Sequence, residues 1–303
     1  MTDMLEKADP LARQTKKAAQ LLIASAKHSY DPLIDIDWDA PLEEGKWFLA
    51  ENRCSLYGTE LWDSLSLEQK LVVSREELAA SVAVGVWTEH MLLHLVSRYV
   101  YKRDVSTPQV QFALTEVADE VRHMIMFAKL IEKIGTDIYP TPAKTLKSGR
   151  LLKTFAPVPA LWALILLTEE FFDRFQREQS NDERIQPVVR SVARIHVVEE
   201  ARHISFARTE LETFVPTLSA FKLDLLRKFL ANVVKSIREN RYNPLVYERA
   251  GLDPKVAMEQ AKSSPHGKVN AAYGAERIAA YYKKIGLIGG SSEKVWREAG
   301  WLV

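Results

Sequence analysis

The stretch EVADEVRHMIMF (116–127) and its echo HVVEEARHISFA (196–207) decide how this chain is read. Each contains Glu-x-x-His, running from Glu120 to His123 and from Glu200 to His203. A three-residue step turns a helix by about 300°, so each Glu shares a face with its His. One such pair alone is a weak signal. The wider spacing strengthens it: Glu89 stands 31 residues before Glu120, and Glu169 stands 31 residues before Glu200. The whole set recurs at an offset of 80 positions, Arg122 and Arg202 included. Two successive helix pairs thus each offer a lone Glu on one helix and Glu-x-x-His on the next. That is the ligand arrangement of carboxylate-bridged dinuclear sites in four-helix bundles.

Helical signals extend outward from these motifs. Ser66 followed by Gln69 reads as a capping box opening a helix that runs to about residue 102. Thr107-Pro108 offers an N-cap and a proline at the first helical position, and Gly135 a stop, giving a helix over about 108–134. Two further long helices are expected near 158–180 and 184–213, with flanking helices at about 10–28, 217–240, 253–262 and 269–285. Residues 30–47 and YPTPAKTLKSGR (139–150) read as connections. No run of alternating β-branched residues argues for a strand. The expectation is an all-α fold in one domain, 1–303, with a four-helix bundle core at about 66–213 and additional helices at about 10–28 and 217–285.

Composition excludes several classes. The 303 residues are 47% hydrophobic, enough for a sizeable core. Lys and Arg total 41 against 40 Asp and Glu, so no net field favours nucleic acid or an anionic membrane. Cys54 is the only cysteine, which excludes an internal disulfide and any multi-cysteine metal site. The opening residues 1–17 carry no apolar signal core, and AAQLLIASA (18–26) is too short to span a bilayer. A soluble, cytoplasmic protein is expected.

Carboxylate and imidazole suit iron or manganese, and nothing in the set selects a softer metal. Four glutamates carry four negative charges, which two divalent ions neutralise. Left without a cation, buried carboxylates cost several kcal/mol each. The bland alternative places these residues on solvated faces or in ordinary ion pairs, but the apolar flanks Met124 to Phe127 and Ile204 to Phe206 favour burial. His196, one turn before Glu200, is either a core histidine bonded to a carboxylate such as Glu199 or Glu169, or a further ligand; its counterpart in the first half is Glu116. Asp119 and Glu199 either accept the N–H of the opposite motif's histidine or pair with Arg122 and Arg202. Glu170 fits the 31-residue register less well than Glu169. His90 and His94 read as structural or surface groups.

At these residues the chain resembles the di-iron arylamine N-oxygenases, a family typified by the aminobenzoate N-oxygenase of aureothin biosynthesis and belonging to the ferritin-like superfamily. The shared marks are Glu89, DEVRH (119–123), Glu169 in TEEFFDRF (168–175) and HVVEEARH (196–203). The last is the most specific, because an extra histidine one turn before the second Glu-x-x-His separates this family from other ferritin-like oxidases. The resemblance implies seven ligands, Glu89, Glu120, His123, Glu169, His196, Glu200 and His203, holding two iron ions. It further implies a homodimer that activates O₂ through a peroxo-bridged diferric species and oxygenates an amine nitrogen of a small-molecule substrate. Electrons come from an external reductase, since no Gly-x-Gly-x-x-Gly is present. Arg277 is a surface arginine or a partner for a substrate carboxylate.

Competing functions share the metal core. A ribonucleotide reductase-like radical generator places tyrosine where Phe127 stands here. Ferroxidase or iron-storage proteins are shorter chains. A fatty-acyl desaturase or hydroxylase fits the same ligands, as does a dimanganese catalase. A helical interaction protein without metal is the remaining alternative.

Overall fold

The structure, a computed structural model, describes residues 9–302. The expectation that the opening residues lack a signal core falls partly on residues 1–8, outside the described residues. In chain order the helices are α1 (Pro10–Lys27), α2 (Glu60–Ser64), α3 (Leu67–Val100), α4 (Pro108–Lys133), α5 (Ala143–Phe155) and α6 (Val158–Asn181). They continue with α7 (Pro187–Phe214), α8 (Ala220–Glu239), α9 (Pro244–Arg249), α10 (Pro254–Ser263), α11 (Pro265–Lys284) and α12 (Glu293–Glu298). No strand occurs among the described residues, only an isolated bridge between Trp47 and Ile185.

Local chemistry accounts for the boundaries. Ser66 accepts from the Gln69 N–H at 3.2 Å while the Gln69 side chain accepts from the Ser66 N–H at 2.9 Å, closing the expected capping box on α3. Pro108 and Pro187 occupy the first turns of α4 and α7. Gly135, at φ 68°, takes the left-handed conformation that ends α4. Thr107 sits at the N-cap of α4 but does not cap it, because its hydroxyl donates backward to the Asp104 carbonyl at 2.8 Å.

Short joints fold α3 back on α4 and α6 back on α7, and the two hairpins pack together as the four-helix core. Helix α3 is long and apolar enough to cross a membrane by length and composition; here it is a bundle helix whose buried face carries Glu89. Helix α1 lies over the seam between α4 and α7, and α11 lies along α6. Gly274 permits the latter contact, since a Cβ there would stand 2.6 Å from the rings of Phe171 and Phe175. The long irregular stretch before α2 is pinned to the α6–α7 joint, with Trp47 N–H donating to the Arg184 carbonyl and Gln186 N–H to the Trp47 carbonyl, each at 2.9 Å.

One expected connection is a helix. Residues 143–155 form α5, although YPTPAKTLKSGR reads as turns. Tertiary packing overrides local punctuation: Gly149 brings α5 so close to α3 that a Cβ would meet Met91 Sδ and the Trp87 ring at 3.0 Å. Arg98 reinforces the contact by donating to the carbonyls of Lys153 and Ala156.

The apolar interior divides into two clusters. One contains Leu92, Tyr99, Phe112, Trp162 and Phe206. The other contains Val73, Ala83, Phe127, Val189 and Ile195. On α3, α4 and α7, a stretch of buried Glu, His and Asp separates residues of the first cluster from residues of the second. The bundle thus carries a polar slab across its middle.

Candidate metal centre

Each bundle helix contributes to that slab: α3 Glu89, α4 Glu120 and His123, α6 Glu169, and α7 His196, Glu200 and His203, all buried. The structure brings together all seven residues that the sequence singled out. Three groups have ligand atoms mutually within 4.8 Å and could hold a metal: Glu89, His123 and His196; Glu169, His196 and Glu200; Glu120, Glu200 and His203.

The two motif histidines are held in the same way. His123 Nδ1 lies 3.2 Å from both Glu120 Oε2 and Glu200 Oε1. His203 Nδ1 lies 3.1 Å from Glu200 Oε2 and 3.4 Å from Glu120 Oε1. Their Nε2 atoms cross to the other motif, His123 to Glu199 Oε2 at 2.9 Å and His203 to Asp119 Oδ2 at 3.2 Å. A carboxylate accepting the Nε2–H fixes the tautomer that leaves Nδ1 as the donor to a cation.

Both roles weighed for Asp119 and Glu199 coexist. Arg122 bonds Asp119, and Arg202 lies 3.5 Å from Asp119 and 3.7 Å from Glu199. The backbone N–H of Tyr30 also donates to Glu199 at 3.2 Å, and Arg202 donates to the His28 carbonyl at 3.1 Å. Residues 28–30 thereby tie the end of α1 to the site, a contribution that no sequence spacing announces.

His196 breaks the twofold likeness. Its Nδ1 lies 2.8 Å from Gln176 Oε1, so Nε2 is free to face Glu89 Oε1 at 3.2 Å and Glu200 Oε1 at 3.6 Å. Its hydrogen-bond partners are thus Gln176 and Glu89, with Glu169 also brought within 4.8 Å in the group they share with Glu200. Gln176 escaped the sequence reading, although it stands two turns beyond Glu169 on the same face. The matching position 80 residues earlier is the buried Val96, so only one half of the bundle can orient an extra histidine in this way. Glu116, the counterpart of His196, is buried, and its Oε1 finds no hydrogen-bond partner.

The electrostatics are those of a site built around cations. Burial, and after it the Glu120 charge, push the Glu89 carboxyl up, while burial and the charges of Glu200, Glu89 and Glu120 push Glu169 up. Burial and Glu200 would raise Glu120 too, but hydrogen bonds from His123 and His203 outweigh them and hold it at about 2. Burial, then the His123 charge, lower His196 to about 4, the neutral form that ligates. Glu89 Oε2 is buried without a hydrogen-bond partner. Such crowding of carboxylates and an orphaned oxygen is costly unless positive charge lies among them. Two divalent ions fit that requirement.

Neighbouring candidates lie outside the slab's ligand set. Glu170 turns to Arg208. His90 and His94 face each other near the surface, their Nε2 atoms 2.9 Å apart. Arg277 is largely exposed, 4.0 Å from Asp173, at the rim of a cavity of about 410 Å³ that Arg174, Arg177 and Tyr273 also line. Cys54 is buried as a free thiol.

A helical bundle with paired Glu-x-x-His motifs and lone glutamates facing one another defines the di-iron ferritin-like class. Within that class the chain belongs to the p-aminobenzoate N-oxygenase AurF family, whose profile matches residues 12–286. It is also similar to the uncharacterized proteins Mb0909 of Mycobacterium bovis and Rv0885 of Mycobacterium tuberculosis, at 27% identity over 217 residues in each case. The match covers 69% of this chain and 63% of each of those proteins.

Proposed function

We propose that this protein is a non-haem di-iron oxygenase that transfers oxygen from O₂ to the nitrogen of an amine, with an arylamine as the substrate type. The observation that carries the reading is the third buried histidine, His196, oriented by Gln176 toward Glu89 and Glu200. In this reading Glu89, Glu120, His123, Glu169, His196, Glu200 and His203 would hold the two irons between them. When bound, the two irons supply the electrons and Lewis acidity that reduce and activate O₂.

The chain's own residues do the rest. Asp119 accepts the Nε2–H of His203 and Glu199 that of His123, which keeps both rings oriented. Arg122 and Arg202 balance those carboxylates from outside. The two apolar clusters keep bulk water from either side of the slab, which strengthens every charge interaction within it. An external reductase provides electrons, and the working form is a cytoplasmic homodimer acting on a small molecule.

The test is anaerobic iron loading followed by mixing with O₂. About two irons per chain, a transient visible absorption, and faster decay of that absorption with an arylamine than with an acyl substrate are expected. Faster decay with the acyl substrate would move the assignment to a desaturase or hydroxylase. Absence of stoichiometric metal would overturn the oxygenase reading.

A further inference from the structure

The apolar cluster below the metal slab contains an ordered series of rings leading away from one ligand. The His203 ring lies 6.5 Å from Phe112, Phe112 lies 4.8 Å from Phe206, Phe206 lies 5.1 Å from Trp162, and Trp162 lies 5.0 Å from Tyr99. All of these rings are buried. The other ring packed against the ligands, Phe127, contacts His123 and His196 but leads to no tryptophan or tyrosine ring contact among the described residues. Trp and Tyr are the readily oxidised aromatic side chains, so one direction out of the site is electronically open and the other is closed.

The far end of the series has a proton acceptor in place. Tyr99 Oη donates to Glu210 Oε2 at 3.1 Å, and the Gln14 amide donates to the other oxygen. Glu210 is fully buried on α7, two turns beyond His203 and outside the candidate ligand groups, where a carboxylate is expensive. Burial raises it, against the bonds from Gln14 and Tyr99, to about 7, so it can take up a proton. The Arg103 guanidinium covers the Tyr99 ring at 3.8 Å.

We propose that Phe112, Phe206, Trp162 and Tyr99 form a relay that removes one oxidising equivalent from the metal pair when no substrate consumes it. The inference rests on the di-iron oxygenase reading, whose O₂-oxidised iron pair is the oxidant. In the step the iron pair gains one electron, Tyr99 loses one electron by way of Trp162, and the phenolic proton passes to Glu210. A neutral Tyr99 radical and a protonated Glu210 carboxyl result. Phe112 and Phe206 serve as packed spacers and are not themselves oxidised. The relay protects the histidine ligands by placing the oxidising equivalent on a phenol remote from them.

The experiment uses the iron-loaded full chain mixed with O₂ without substrate, freeze-quenched and examined by electron paramagnetic resonance. Iron content and O₂ consumption are measured on the same samples. The expected result is a tyrosyl radical that is lost in Tyr99→Phe and in Glu210→Gln and diminished in Trp162→Phe. Mass spectrometry after repeated O₂ exposure should show oxidation of His203 and Trp162 accumulating in Tyr99→Phe beyond the wild-type level. A merely structural Tyr99–Glu210 bond would alter melting temperature and leave both readouts unchanged. Iron binding and O₂ consumption without a Tyr99 radical would overturn the relay while leaving the oxygenase reading intact. Absence of iron uptake would remove the oxidant and overturn both.

Discussion

Gln176 Oε1 lies 2.8 Å from His196 Nδ1, and that one contact turns a buried histidine into a ring whose Nε2 faces Glu89 and Glu200. The same helix carries Glu169 two turns earlier, so α6 contributes both a carboxylate to the site and the group that orients its third histidine.

Replacing Gln176 with Leu should therefore weaken one metal position more than the other. An outer partner of a ligand histidine is worth about 10–100-fold in metal affinity. Iron titration of Gln176→Leu is expected to show one site weakened by about that factor. Gln176→Glu, which still accepts the Nδ1–H, should stay near wild type. Equal weakening in both variants would remove the orienting role.

His203→Ala and His196→Ala should differ. His203 belongs to one group only, with Glu120 and Glu200, whereas His196 belongs to two, one with Glu89 and His123 and one with Glu169 and Glu200. Metal analysis should find about one iron lost from His203→Ala, whereas His196→Ala binds one iron more weakly, as Gln176→Leu does, but retains both at saturating iron and changes the lifetime of the O₂-induced absorption. If His196→Ala matches wild type in spectrum and turnover, it is not a ligand.

Metal should also appear in stability. A ligand that binds only the folded state adds about 2.7 kcal/mol at 100 times its Kd. Anaerobic Fe(II) is expected to raise the melting temperature of the wild-type protein. Glu169→Gln removes a carboxylate that burial and its neighbours push up. Its metal-free form should melt at or above the wild-type temperature, with a reduced gain from iron. A metal-free Glu169→Gln that melts far lower would contradict the charge-crowding account.

Glu210 predicts a pH dependence independent of the metal ligands. Its folded carboxyl titrates at about 7 against an ordinary value of 4.5. Between those values the folded protein keeps a proton that the unfolded chain has released, so stability falls as pH rises through that window and levels off above it. The full effect is about 3 kcal/mol at most. Urea unfolding at pH 5 and pH 8 should show this loss in wild type and a smaller one in Glu210→Gln. An equal loss in both would assign the dependence to other groups.

Gly274→Val should detach α11 from α6. The new side chain would collide with Phe171 and Phe175, and Phe171 is stacked 4.4 Å from Trp301, which leaves the ring little room to retreat. Overpacking of this kind costs about 1–3 kcal/mol. Calorimetry should record a lower melting temperature, and an unchanged one would mean that the rings move freely.

Much of this molecule is written locally. The capping box at Ser66, the prolines at 108 and 187, and Gly135 mark helix ends because each acts on its own backbone within one turn. The offset of 80 positions linking Glu89, Glu120 and His123 to Glu169, Glu200 and His203 is likewise visible in one dimension, since helical periodicity converts spacing into a shared face. Helix α5 was hidden because the prolines before it and the glycine within it read as punctuation, whereas its packing on Met91 and Trp87 depends on residues more than fifty positions away. The bonds from His123 to Glu199, from His203 to Asp119 and from His196 to Gln176, and the ring series from His203 to Tyr99, cross between helices. The sequence by itself determined that Glu89, Glu120, His123, Glu169, Glu200 and His203 face the middle of the bundle. Only the tertiary structure decided which of them meet, because the angle and register at which packed helices face one another depend on side-chain fit along the whole interface rather than on the spacing within any one helix.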